Sequence, residues 1–93
     1  MRFSAEATTQ VNLALADLQK RLGLKDTSTI KVTAVEAVEW SNAGLGCPKA
    51  GMMYAEVITP GFRILLEAAS KTYEYHSNRK TKVVLCQGGR PVE

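Results

Sequence analysis

The feature that most constrains this chain is a change of period. Between Ser4 and Gly23 the apolar residues Val11, Leu15, Leu18 and Leu22 recur at spacings of four, three and four, with Ala7 and Ala14 beside them. That is one face of an α-helix. Ser4 is suited to cap its start, Glu6 to meet the positive end of its dipole, and Gly23 to close it after Lys20 and Arg21. The spacing predicts a helix over residues 5–22 whose opposite side, Thr8, Asn12, Asp17 and Gln19, is solvated. From residue 30 onward the helical period is gone, and β-branched residues alternate instead. A helix followed only by strands is an α+β plan: one N-terminal helix packed on a four- to five-stranded antiparallel meander sheet.

Five runs compete for the strand positions. "IKVTAVEAVEW" sets Ile30 and Val32 on one face and slips phase near Val35, as a β-bulge would allow. "MMYAEVI" reads as a second strand, "TPG" as a tight turn, "FRILLEA" as a third strand, "TYEYHS" as a fourth and "KVVLC" as a fifth. Turns are expected at Ala69–Lys71 and at "NRKT". A single domain then spans residues 1–87, and "QGGRPVE" is expected to be a disordered tail over 88–93.

At 93 residues the chain buries about two thirds of the surface its unfolded form exposes, so its stability margin is modest and a covalent staple would help. Its two cysteines and single histidine, His76, are too few for a closed structural zinc site, and no cofactor-binding pattern is present. Nor does any window have the length and apolarity of a membrane span. The start "MRFSAEATTQ" lacks the apolar core and cleavage site of a signal peptide. A disulfide would nevertheless point to an exported protein.

Between the first two strand candidates, "SNAGLGCPKAG" breaks both regular periods with Gly44, Gly46, Pro48 and Gly51. In a meander each hairpin reverses the chain, so a fifth strand ending at Cys86 finishes at the end of the sheet where this loop lies. A Cys47–Cys86 bridge is then within reach and would stabilise the domain by about 3 to 4 kcal/mol. The alternative is two reduced thiols, with Cys86 a buried apolar residue and Cys47 exposed. The same topology puts His76 at the far end from Cys47.

Trp40, Leu45-Gly46-Cys47-Pro48, Gly51-Met52 and Tyr54, then Pro60-Gly61-Phe62-Arg63-Ile64, Tyr73-Glu74-Tyr75-His76 and Leu85-Cys86 together form a pattern. Over about residues 13–87 it resembles a family of small bacterial domains with no assigned activity. The family pattern runs approximately W-P-D-x-S-L-G-C-P-x-P-G-M-x-Y, G-Y-R-I, Y-x-Y-H, L-C. The chain departs from it with Ser41-Asn42 for Pro-Asp, Ala50 for Pro, Phe62 for Tyr, and Ala69-Ser70 where a glycine turn is usual. The resemblance implies a shared pattern and no particular activity.

Three functional classes compete. One helix on an antiparallel sheet is the plan of cystatin-like domains by analogy of architecture, although their Gln-x-Val-x-Gly hairpin is absent. On that plan the 41–51 loop is a recognition element of a non-enzymatic protein-binding module. Trp40, Leu45, Cys47, Pro48, Lys49 and Met52 are its binding residues, Leu45 and Lys49 face outward, and a protease is one partner it would suit. The opposing reading tucks Trp40 and Leu45 inward as a minicore under the loop. Nucleic acid is the second class of partner: Tyr73 and Tyr75 would stack on single-stranded bases while Arg79, Lys80, Lys82 and Arg90 track the backbone, although the net charge is only +3. The third class is a cysteine-dependent enzyme using Cys47 and His76, which lacks an evident orienting group.

Overall fold

The computed structural model describes residues 4–92. Helix α1, Ala5–Leu22, has the expected limits. The Ser4 hydroxyl accepts from the Ala7 amide at 3.1 Å, satisfying a donor that the first turn leaves unpaired. At the other end Gly23 adopts the left-handed conformation (φ 66°), and the amides of Gly23 and Leu24 return to the carbonyls of Lys20 and Gln19. Reversal of this kind at a glycine is a Schellman closure.

Five antiparallel strands follow, in sheet order β1 (Lys31–Trp40), β2 (Thr59–Ala68), β3 (Lys71–Asn78), β4 (Val83–Gln87) and β5 (Arg90–Pro91). The α+β plan and the meander hold, but one expected strand and one expected turn change identity. "MMYAEVI" is irregular, and residues 41–58 form one long connection between β1 and β2. With β1 and β3 already flanking β2, the run finds no place beside it, and Met52, Met53, Val57 and Ile58 all face solvent. "TPG" is not a turn and opens β2. Its glycine serves close packing, because a Cβ at Gly61 would collide with the Ser77 carbonyl oxygen and press on the Trp40 indole.

The tail is also ordered. Arg90–Pro91 pairs with β4, the Val92 amide donates to the Leu85 carbonyl at 2.8 Å, and Val92 packs against the core. The left-handed Gly88 and Gly89 make this last reversal. Disorder was therefore the wrong expectation for residues 88–92, while Glu93 lies outside the described residues.

In β1 the register shifts between Val32 and Ala34, a bulge slightly upstream of the expected slip, and it turns both Val32 and Val35 toward the core. Helix α1 covers β2, β3 and β4. Ala7, Val11, Ala14 and Leu18 meet Phe62, Ile64, Leu66, Tyr75 and Leu85. The buried stripe is rotated from the sequence reading: Leu15 packs at its margin, and Leu22 is 38% exposed past the sheet. Gln10 lies within it and donates through Nε2 to the Lys80 carbonyl at 2.6 Å, fastening the helix to the β3–β4 turn. Nor is Asp17 only solvated. It accepts from the Tyr75 hydroxyl at 2.7 Å and from Arg21 at 2.6 Å.

Candidate functional site

Side chains alternate across a strand, so the residues between the core positions point away from the helix. Arg63, His76 and Val84 form one rung on that side, and Leu65, Glu74 and Cys86 form the next. From β1, Glu36 stands opposite Arg63. The 41–58 connection folds back over this face and makes it a second interior.

Tight local bonds shape the covering loop. The Asn42 side chain accepts from the Gly44 amide at 2.8 Å, its carbonyl accepts from Leu45, and the Cys47 amide donates to the Gly44 carbonyl at 3.0 Å. Leu45 (φ 58°) and Gly46 (φ 67°) are both left-handed, a conformation that is costly for leucine. It persists because both ends of Leu45 are held: the side chain is 1% exposed, and the carbonyl meets His76 Nδ1 at 2.7 Å. Gly46 leaves room for Trp40, whose ring atoms would come within 2.8 Å of a Cβ there. Trp40 in turn stacks on His76 at 4.4 Å between ring centroids and donates through Nε1 to the Ser77 carbonyl at 2.9 Å.

Cys47 and Cys86 are joined by a disulfide with a Cα–Cα distance of 6.0 Å. The bridge is the expected one, but strand parity does not explain it. With one strand fewer before it, β4 carries Cys86 into the sheet opposite Glu74, and the loop travels across the face to reach it. The same change brings His76 beside the bridge instead of at the far end. The ligand atoms of Cys47, His76 and Cys86 all lie within 4.8 Å of one another, and all three residues are buried.

A polar relay runs outward from there. His76 Nε2 lies 2.5 Å from Glu74, the other Glu74 oxygen accepts from Arg63 at 3.1 Å, and Arg63 also donates to Glu36 at 2.8 Å. Burial pushes the Glu74 carboxyl up, but its hydrogen bonds to His76 and Arg63 outweigh that and hold it below the usual carboxylate range. Bonds to Glu74 and Glu36 push the Arg63 guanidinium further up. Both ring nitrogens of His76 face oxygen acceptors, so a neutral ring can satisfy only one of them.

The six expected binding residues divide. Trp40, Leu45 and Cys47 turn inward as the minicore, which corrects the outward placement of Leu45, whereas Pro48, Lys49 and Met52 are exposed. Sequence reasoning passed over Met53, Val57 and Ile58, which together with Met52 are 95%, 55%, 63% and 57% exposed, respectively. The missed signal was that "MMYAEVI" has adjacent apolar pairs at both ends and no alternation. Arg63, Glu74 and Glu36 could have been found by writing the β1–β2 and β2–β3 registers in full.

The other two constellations are also altered. Tyr75 is fully buried with its hydroxyl on Asp17, and Tyr73 packs against the core, so neither presents a free ring for base stacking. Arg79 lies over Phe62 and pairs with Glu6, and Lys82 lies over Tyr54. The sulfur of Cys47 is in a disulfide, so a Cys47–His76 couple exists only after reduction. Among the described residues no helix is long and apolar enough to cross a membrane.

Set against curated proteins and solved structures, the chain matches none. A family model described as a domain of unknown function (DUF8738) matches residues 11–86, most of the chain, so the protein belongs to that family.

Proposed function

We propose that this domain is a non-enzymatic protein-binding module that docks through the outer limb of its bridged loop, residues 49–58. The observation that carries the reading is the exposure of Met52, Met53, Val57 and Ile58 within one short segment. Grouped apolar side chains of this size are uncommon on a monomer surface without a partner, and methionine adapts to an irregular apolar cleft.

The segment is restrained from behind. The disulfide holds it at Cys47, the Ala43 amide donates to the Ala55 carbonyl at 3.0 Å, and the Lys49 amide donates to the Tyr54 hydroxyl at 3.0 Å. Restraint lowers the ordering cost of docking. Arg90 borders a shallow hollow beside it with Ala50 and Pro91, which favours an apolar cleft with a carboxylate at its rim on the partner. A protease cleft of that character is one such surface. Nucleic-acid binding is the weaker reading, because its two stacking tyrosines are occupied in the core.

The test places a photo-crosslinking methionine analogue at position 53, identifies what it captures, and titrates that purified protein with the unlabelled domain. Met53→Asp should weaken the complex by about thirtyfold, as loss of an interface anchor does, with an unchanged thermal midpoint. If the purified partner is a protease, its peptide turnover should fall as the domain is added. Unchanged affinity in Met53→Asp and Ile58→Asp would remove the limb as the docking element.

A further inference from the structure

We propose that Cys47, Cys86 and His76 form a redox-gated site for a thiophilic monovalent cation, Cu(I), closed while the bridge is intact and open once a dithiol reductant has split it. The proposal stands apart from the docking reading, since it uses the buried side of the loop and not its outer limb.

Three separate segments, the loop, β3 and β4, bring these donors together with their ligand atoms within 4.8 Å of one another. Two thiolates and an imidazole suit soft and borderline transition metals rather than calcium or magnesium, which take oxygen donors. A structural zinc ion takes four protein ligands, and among the described residues three donors converge here. Cu(I) accepts three. The stacking of Trp40 on His76 and the burial of all three donors limit access of a fourth ligand from water.

The Nε2 side of His76 is already held as that of a metal-bound histidine is. Nε2 is held by Glu74 at 2.5 Å, and Glu74 is held by Arg63 at 3.1 Å, the carboxylate support that fixes a ligating ring and raises its basicity. Nδ1 faces the loop carrying Cys47, where the Leu45 carbonyl lies at 2.7 Å. Binding exchanges that contact for the metal.

The chemistry balances with a dithiol as reductant and a small-molecule disulfide as oxidant. A dithiol transfers two electrons to the Cys47–Cys86 bond, becomes a disulfide, and leaves two protein thiols. Each thiol then loses a proton to solvent as its sulfur bonds the ion, and any proton on Nδ1 leaves in the same way. A small-molecule disulfide, such as the oxidised form of that dithiol, accepts two electrons from the pair by thiol–disulfide exchange and becomes the dithiol again, which re-forms the Cys47–Cys86 bond and releases the ion.

The test uses the full chain, oxidised and reduced, under anaerobic conditions. Reductant is removed, and the protein competes for Cu(I) with a chromophoric chelator while circular dichroism follows the fold; a parallel arm uses Zn²⁺. The reduced chain should take up one equivalent of Cu(I) and the oxidised chain none, with re-oxidation returning the ion to the chelator. Glu74→Gln should weaken binding about tenfold, and His76→Gln should weaken it further. X-ray absorption of the loaded wild-type chain should show two sulfurs and one nitrogen, which keeps the test decisive if His76→Gln does not fold. A reduced chain that unfolds and is refolded by Cu(I) also supports the site. Equal uptake by the oxidised chain, no uptake by the reduced chain in any folding state, sulfur-only coordination, or tighter retention of Zn²⁺ than of Cu(I) overturns it.

Discussion

The two faces of the sheet are built by different physics. On the helix side, Leu18, Ile64, Leu66 and Tyr75 are fully buried in a continuous apolar layer, and most of the stabilisation is the removal of that area from water. On the loop side the cover is an irregular strap, and the buried set mixes Leu45 with a histidine and a disulfide. A strap with no hydrogen-bonded ladder of its own requires fixed points. Among them are the sulfur bridge and the Leu45 carbonyl on His76, while the Trp40 indole, held from β1 on the Ser77 carbonyl, gives the strap a fixed surface to pack against. Area holds one face and a few specific bonds hold the other, so the two should respond differently to the same kind of damage.

The largest expected effect tests the loop side. Replacing both cysteines by alanine frees a chain segment with a sequence separation of 39. It should lower unfolding free energy by about 4 kcal/mol on the chain-entropy account. Chemical denaturation measures the loss, and hydrogen exchange should show residues 41–58 opening before the sheet does. A cost below about 1 kcal/mol would show that packing of Trp40 and Leu45 is sufficient to hold the strap, and the contrast between the faces would disappear.

The same contrast explains what was legible in the sequence. Helix limits, caps and the α+β plan were readable because they follow from local period and from single residues such as Ser4 and Gly23. Four of the strands were readable for the same reason. The run 52–58 was not, because being a strand depends on a free neighbour in the sheet, and β1 and β3 already flank β2. That one error moved His76 from beside Cys47 to the opposite end of the molecule. The bridge survived the mistake only because a loop of this length can cross the face of a sheet to reach Cys86. Ordering of the tail was hidden too, since Arg90–Pro91 has almost no intrinsic strand signal and depends on β4 as a template.

The helix side is tested next. Leu18→Ala should cost about 3 kcal/mol, as truncation of a fully buried leucine does, and the loss should appear in the global transition with no selective loosening of residues 41–58. A cost below about 0.5 kcal/mol would mean that the face collapses around the deletion and is not the tightly packed layer described.

Alkaline titration sharpens the same comparison with a smaller effect. Burial and the hydrogen bond to Asp17 push the Tyr75 hydroxyl well above its ordinary range. A phenol raised in this way contributes stability that is fully present below its unfolded pKa of about 10, and that contribution is lost as pH climbs from there toward the folded value. Tyr75→Phe should cost about 1 to 2 kcal/mol at neutral pH through the lost bond to Asp17. It should also flatten the decline in stability above about pH 10. Urea denaturation at stepped pH values measures both, and an identical alkaline slope in the two proteins would place the sensitivity elsewhere.

The smallest effect concerns the hairpin that both faces share. Ala69 (φ 52°) and Ser70 (φ 65°) form a two-residue turn between β2 and β3 with both residues left-handed. That is the geometry asparagine and glycine adopt most easily in a tight hairpin. Both side chains are exposed, so replacing them removes no core packing. Ala69→Asn with Ser70→Gly should relieve the steric cost, partly offset by the greater unfolded-state entropy of glycine, for a net gain of about 1 kcal/mol. The turn lies at the end of the sheet away from the β1–β2 connection, so the gain should be the same with the Cys47–Cys86 bridge oxidised or reduced. Thermal melts of the four forms measure this. A gain that vanishes on reduction would show that the strap reaches through the sheet to the hairpin, and the two faces would then have to be treated as one cooperative unit.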